Sequence, residues 1–171
     1  MVVSTLVPVA EYLRTSYRPD CDYLEGVILE RNVGEYDHSK VQTTVAGLLN
    51  ARGKEWRIEA CVELRVNVRP GRRYRVPDVV VLDESAPREQ IIACPPVLCI
   101  EVLSPDDRMS EMDERISDYF ELGVSCVWVL DPRRRKAFIY TRTASVQATE
   151  VITVPGTAIA LGVQTLFAGL K

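Results

Sequence analysis

Two short apolar runs, PPVLCIEVLSP at 95–105 and CVWVLD at 126–131, flank a stretch with helical periodicity. Between them Met112, Ile116, Tyr119 and Phe120 recur as one apolar stripe, and Gly123 stands where a helix C-terminus favours glycine. The spacing predicts a strand over 96–104, a helix over 108–122 and a strand over 126–131. A strand–helix–strand crossover obliges its two strands to run parallel. The first strand also carries an anomaly. Glu101 is a carboxylate in an otherwise wholly apolar run, and an unpaired buried charge is very costly.

The rest of the chain adds antiparallel elements. PVAEYLRTS (8–16) reads as a short helix opened by proline, and CDYLEGVILERN (21–32) as a hairpin turning at Glu25-Gly26. Val41, Val45, Leu48 and Leu49 give a helical period over 37–52, with Asp37 as its expected cap and Gly53 as its expected stop. RIEACVELRVNV (57–68) alternates apolar and polar residues, RPGRR (69–73) has turn chemistry, and YRVPDVVVLD (74–83) reads as the next strand. Residues 57–83 are therefore expected to form one antiparallel hairpin. AFIYTR (137–142) reads as a further strand, and the tail 147–171 as one strand plus a short packing segment. The expected fold is an α/β (α+β) mixed sheet, antiparallel first and then parallel, with helices on its faces, in a single domain over 1–171.

Composition narrows the setting. A hydrophobic share of 47% with 26% charged residues suits a globular chain with a real core. No apolar run approaches the roughly 20 residues of a membrane helix, so no membrane partner is expected. The five cysteines (Cys21, Cys61, Cys94, Cys99 and Cys126) show no CxxC spacing, and the N-terminal stretch lacks the basic region of a secretory signal. Both features favour a reducing, cytoplasmic location. The one histidine, His38, has no cysteine pair beside it, which argues against zinc. Net charge is −3, yet Arg52–Arg75 holds eight Lys/Arg against three Glu, and Arg133–Lys136 forms a second basic cluster. These are either solvated hairpin tips or phosphate contacts.

Asp78 begins one strand and Glu101 ends the next. If those strands are antiparallel neighbours, both carboxylates share one sheet edge. Two adjacent carboxylates repel unless a cation lies between them, and a hard divalent ion with oxygen ligands is the natural candidate. Each residue also has a plainer reading: Asp78 as a turn cap, Glu101 as the buried partner of an arginine. The same topology brings the turn at 69–73 and the cluster 133–136 to that edge. A dicarboxylate metal site between basic rims suits phosphodiester hydrolysis.

Asp78 in VPDVVVL, Glu101 in IEVLSP and the later GVSCVWVLDP resemble the PD-(D/E)xK nuclease superfamily. The nearer likeness is to its Uma-two family of putative restriction endonucleases, running from EYLRT through DYLEGVILERN and DHSKVQ to WVLDP. The resemblance implies a restriction-endonuclease-like core, nucleic-acid cleavage with Mg²⁺ or Mn²⁺, DNA more than RNA as substrate, and a homodimer. By it Asp78 and Glu101 match the metal-binding acids, with Glu63 as a further ligand or else a surface glutamate facing Arg65 or Arg75. His38 matches a family histidine at the start of the first long helix, able to contact phosphate or to bond backbone. Leu103 stands where the superfamily places lysine. Similar proteins carry a lysine on the next helix, in a Lys-xxx-Tyr-xxx-Gly-Val pattern that here reads Arg115, Tyr119, Gly123, Val124. Arg115 thus takes the lysine's place, and arginine effectively cannot act as a base.

The expected nucleic-acid contacts are Arg69, Arg72, Arg73 and Arg75 on one rim and Arg133, Arg134, Arg135 and Lys136 on the other. The rival expectation is an inert nucleic-acid-binding or assembly module in which Arg115 neutralises Glu101. A third is a metal-dependent hydrolase of another substrate.

Overall fold

The computed structural model describes residues 6–31 and 35–170. Residues 1–5 of the N-terminal stretch, and Asn32 at the end of the expected hairpin, lie outside the described residues.

A short helix α1 (Val9–Arg14) leads into the hairpin β1 (Cys21–Leu24) and β2 (Val27–Glu30). Leu24 pairs with Val27, leaving a two-residue turn. Both turn residues have positive φ, 50° at Glu25 and 95° at Gly26, the geometry that matches strand twist in a tight hairpin. The long helix α2 (Tyr36–Ala51) follows. Its N-cap is Glu35, which makes no side-chain cap bond, and Asp37 falls in the first turn. Gly53 does not end the helical region: it opens a further short turn, α3 (Gly53–Trp56).

The expected hairpin over 57–83 is split between two sheets. β3 (Ile58–Val62) pairs antiparallel with β6 (Val79–Asp83), but β4 (Val66–Arg69) and β5 (Arg73–Arg75) leave to join β1 and β2. The break is at Glu63. Its φ is 51°, and its N–H donates to the Asp78 carbonyl at 3.2 Å, closing the β3–β6 ladder. The alternating pattern runs unbroken through this point, so nothing in the periodicity marks it.

The larger sheet has the order β10-β9-β8-β7-β6-β3. It contains β7 (Leu98–Val102), β8 (Val127–Asp131), β9 (Lys136–Tyr140) and β10 (Ser145–Ala148). β7 and β8 are parallel, joined by helix α4 (Met109–Leu122), as the crossover requires. The tail forms a two-stranded unit, β11 (Val151–Thr153) and β12 (Ala160–Gly162), and a short helix α5 (Val163–Leu166), one strand more than expected. Alternate residues of β7 decide which side is which. Leu98, Ile100 and Val102 join the core under α2, whereas Cys99 joins the core under α4. Met112 and Ile116 anchor α4 there, each contributing about 1.5–3 kcal/mol by burial. Gly123, at φ 106°, ends α4 in the left-handed conformation that glycine adopts most readily.

The smaller sheet, β2-β1-β5-β4, leans on α4. Arg75, Arg73 and Arg69 reach Asp118, Glu114 and Glu121 along one helix face. Glu121 is in the last turn of α4, the end remote from the C-terminal edge of β7. The turn at 69–73 therefore lies away from the Asp78–Glu101 edge and does not flank it as expected.

Candidate active site

β6 and β7 are antiparallel, with Val79 opposite Ile100. One step further along this register sets Asp78 opposite Glu101. Asp78 Oδ2 accepts the N–H of Val102 at 2.7 Å. Both carboxylates are buried, at 1% and 2% exposure. Glu101 is on the α4 side of the sheet, where it meets Arg115 and Tyr119.

Four donors converge on the two acids. Arg31, one residue beyond β2, binds Asp78 Oδ1, and His38 Nε2 lies 3.3 Å from Asp78 Oδ2. Arg115 Nη1 lies 3.3 Å from Glu101 Oε2, and the Tyr119 hydroxyl donates to Glu101 Oε1. Arg115 is held from a second side by Asp22, whose Oδ2 is 3.4 Å from its Nη2. Glu63 flanks the group: its Oε1 is 3.9 Å from Arg31 Nη1 and 3.3 Å from Gln42 Nε2. Gln42 also donates to the Asp78 carbonyl at 3.0 Å. Arg31, His38, Asp78, Glu101, Asp107 and Arg115 line one small polar depression.

The electrostatics separate the acids. Burial acts to raise the pKa of Asp78, but the His38 hydrogen bond, the Arg31 charge and the Val102 N–H outweigh it, so Asp78 sits below its ordinary value. Burial dominates at Glu101 and, with the nearby Asp78 charge, pushes it up to about 7 against the pull of Arg115 and Arg31. Burial also acts on His38, but its bond to Asp78 leaves its pKa raised. Arg115 stays charged: the Glu101 and Asp22 carboxylates more than offset its burial.

The expected residues Asp78, Glu101, Arg115 and His38 are thus brought together, whereas Glu63, half-exposed, stays at the flank and does not line the depression. The first basic rim is not. Arg75 is 2% exposed and locked between Asp22 (2.9 Å) and Asp118 (2.6 Å), where no phosphate can reach it. Arg73 binds Asp118 and Glu114, Arg69 binds Glu121 and Glu25, and Arg72 lies 4.0 Å from Glu25. Arg69, Arg73 and Arg75 thus join the small sheet to α4, while Arg72 stays on the exposed turn beside Glu25. The second cluster does arrive at the site edge. Val102 pairs with Leu130 in the parallel ladder, so β8 ends beside β7 and its turn carries Arg133, Arg134, Arg135 and Lys136 there. Arg134 binds Asp131 at 3.3 Å and Arg135 donates to the Leu170 carbonyl at 3.1 Å.

Arg31 and Gln42 were not singled out by the sequence, and Asp22, which with Glu25 matches the acidic positions of the family's DYLEG turn, was not expected to be catalytic. Arg31 and Asp22 come from one hairpin, β1–β2 and the residue after it. Only the docking of the small sheet brings them to Asp78 and Arg115.

Two carboxylates are the donor type a hard divalent ion takes, but here all four of their oxygens already have protein donors. Magnesium is commonly held by one or two carboxylates with water completing its shell, and Asp78 and Glu101 offer two opposed ones. Among the described residues no group of three His, Cys, Asp or Glu converges to hold a metal. Arg31 and Arg115 are the cations now neutralising the two acids, and both line the depression.

Opposed acids on adjacent strands of a mixed sheet, with a crossover helix supplying a cation, are the arrangement expected of a restriction-endonuclease-like core. The comparisons agree. The Uma2 family, described as "Putative restriction endonuclease", matches residues 9–168, and this chain belongs to it. A crystal structure from Anabaena variabilis, of a putative nuclease belonging to DUF820, has a similar fold with a TM-score of 0.82 and 27% identity. The likeness covers 94% of this chain and 97% of that one. No curated protein matches. Among the described residues no helix is long and apolar enough to cross a membrane.

Proposed function

We propose that this chain is a nuclease that hydrolyses phosphodiester bonds of nucleic acid, DNA in preference to RNA, with Mg²⁺ or Mn²⁺ held by Asp78 and Glu101. The observation that carries the reading is the opposition of these two buried carboxylates at the edge where the Arg133–Lys136 turn also lies. The ion, when bound, would activate water and offset phosphate charge. The protein's own groups do the rest. Asp78, kept ionised by His38 and Arg31, is the firmer ligand, while Glu63 is linked to it only through Arg31 and Gln42. Arg115 is a clamp for the scissile phosphate and not a base, because a guanidinium keeps its proton. His38 orients Asp78 through Nε2. A homodimer in the cytoplasm is part of the proposal, since cutting both strands of a duplex takes two such sites.

A second reading is favoured by a specific observation: all four carboxylate oxygens of Asp78 and Glu101 already have protein donors. In that reading the pairs are structural and the chain binds nucleic acid without cutting it. Nicking of supercoiled DNA, single-stranded DNA and RNA, with Mg²⁺ or Mn²⁺ and with Asp78→Ala as control, separates the two. Equal cleavage by wild type and variant defeats the catalytic assignment.

A further inference from the structure

The polar depression at Asp78 and Glu101 does not end at Ser104 and Asp107. Both residues also line a neighbouring hollow that runs to Met109, Asp131, Arg133 and Arg134. Met109, Asp131 and Arg134 then border a third hollow, of about 270 Å³, floored by Leu103, Val129, Phe138 and Tyr140. That volume is close to the ~300 Å³ at which small-molecule sites begin.

The hollow exists because α4 covers only part of its sheet face. Phe138 is opposite Val129 and Tyr140 opposite Val127, so both rings share the face on which α4 packs. They stay only half-buried, on the strand beyond the helix. Met109, the first residue of α4, stands 55% exposed as a lip. The rim is basic, with Arg134 76% exposed and Lys136 also exposed. Asp131 is engaged by Arg134, and Asp113 acts on Tyr140 from the helix side.

An aromatic floor under a cationic rim is complementary to a nucleotide: rings stack on the base and Arg/Lys meets the phosphate. A paired base keeps its faces inside the helical stack, so only an unpaired one can enter. We propose that this cleft of Leu103, Met109, Phe138 and Tyr140 receives an unpaired base of the substrate strand, making single-stranded or locally opened nucleic acid the preferred ligand. The proposal rests on the nuclease reading for the identity of the substrate, and continuity with the Asp78–Glu101 depression gives the strand its path.

The test uses the full chain without divalent ions, so that binding is read apart from cleavage. The probe is a short oligothymidylate carrying one 2-aminopurine, free or annealed to its complement. Stacking in the cleft should quench 2-aminopurine in the single strand. The single strand should also bind roughly tenfold tighter than the duplex. Phe138→Leu, which keeps apolar volume, should remove the quenching, and the exposed pair Arg134→Glu with Lys136→Glu should weaken binding by a similar factor. Duplex binding as tight as single strand, quenching that survives both Phe138→Leu and Tyr140→Leu, or no binding at all would overturn the cleft. Plasmid nicking measured in parallel keeps the two ideas apart. Nicking without quenching defeats the cleft and leaves the nuclease reading standing; quenching without nicking defeats the nuclease reading and leaves the cleft.

Discussion

Asp78 and Glu101 face each other across two neighbouring strands, yet their environments drive their protonation in opposite directions. Asp78 has His38, Arg31 and a backbone N–H on its oxygens and stays ionised easily. Glu101 is dominated by burial and holds its proton up to about pH 7. Burial, with the Asp78 charge beside it, outweighs the pull of Arg115 and Arg31 and keeps Glu101 the neutral member of the pair below that pH.

That division makes metal-free stability depend on pH. Glu101 has a folded pKa above its unfolded value, so the folded state binds the extra proton between about 4.5 and 7. Stability is then highest below that window and falls as pH rises through it, by an amount on the order of 1–3 kcal/mol. His38, also raised, adds stability below its unfolded value that is lost as pH rises through its folded one. Asp78 is lowered, so its contribution is lost only in stronger acid. Melting temperatures in a chelator should decline from pH 5 to 8, and Glu101→Gln should flatten most of that slope. An unchanged slope in the variant would mean that Glu101 does not titrate in this window.

Divalent ions should act on the same pair. Mg²⁺ or Mn²⁺ is expected to raise the melting temperature of the wild type by mass action. Glu101→Gln should remove that shift while leaving the fold within about 1 kcal/mol, since a neutral amide is easier to bury than a carboxylate. The inert reading predicts instead no ion-dependent shift in the wild type and a large loss of stability in Glu101→Ala, which takes one of Arg115's two carboxylates.

Arg75 is expected to matter for folding and not for substrate. It joins Asp22 of β1 to Asp118 of α4 in a fully buried arrangement. Arg75→Met would leave Asp118 to Arg73 and Asp22 to Arg115, removing one cation from each of two buried carboxylates, and should cost on the order of 3 kcal/mol in urea unfolding. Arg72, 68% exposed beside Glu25, should tolerate alanine within about 0.5 kcal/mol. Comparable losses from the two variants would contradict the buried junction.

Much of this was legible in the chain and some was not, for identifiable reasons. The parallel pair and the position of Glu101 follow from short-range signals: two apolar runs, one helical stripe and a terminal glycine. Asp78 followed because antiparallel neighbours bring a strand start beside a strand end. What failed was the basic rim. RIEACVELRVNV keeps perfect alternation through Glu63, where the backbone turns left-handed and the chain changes sheets. A non-glycine residue gives no sequence warning of that turn. Once the hairpin moves to the other sheet, Arg69, Arg73 and Arg75 become partners of α4, and Arg31 and Asp22 arrive at the site in their stead. Long-range docking of this kind leaves no periodic trace.

The most informative substitution is Arg115→Lys, which installs the residue type that the resemblance of the Arg115–Tyr119–Gly123–Val124 pattern implies at this place. Arg115 spans Glu101 and Asp22 at 3.3 and 3.4 Å, a two-sided grip suited to a planar fork. A lysine cannot hold both with the same geometry, so the variant should lose roughly 1 kcal/mol of stability. It gains a group that can release its proton when buried, which arginine cannot. On the nuclease reading the nicking rate of Arg115→Lys should therefore climb with pH and overtake the wild type at alkaline pH. Wild-type nicking should follow the ionisation of Glu101 near 7 and then level off. Parallel pH profiles for the two proteins would show that residue 115 only neutralises charge and takes no part in moving the proton.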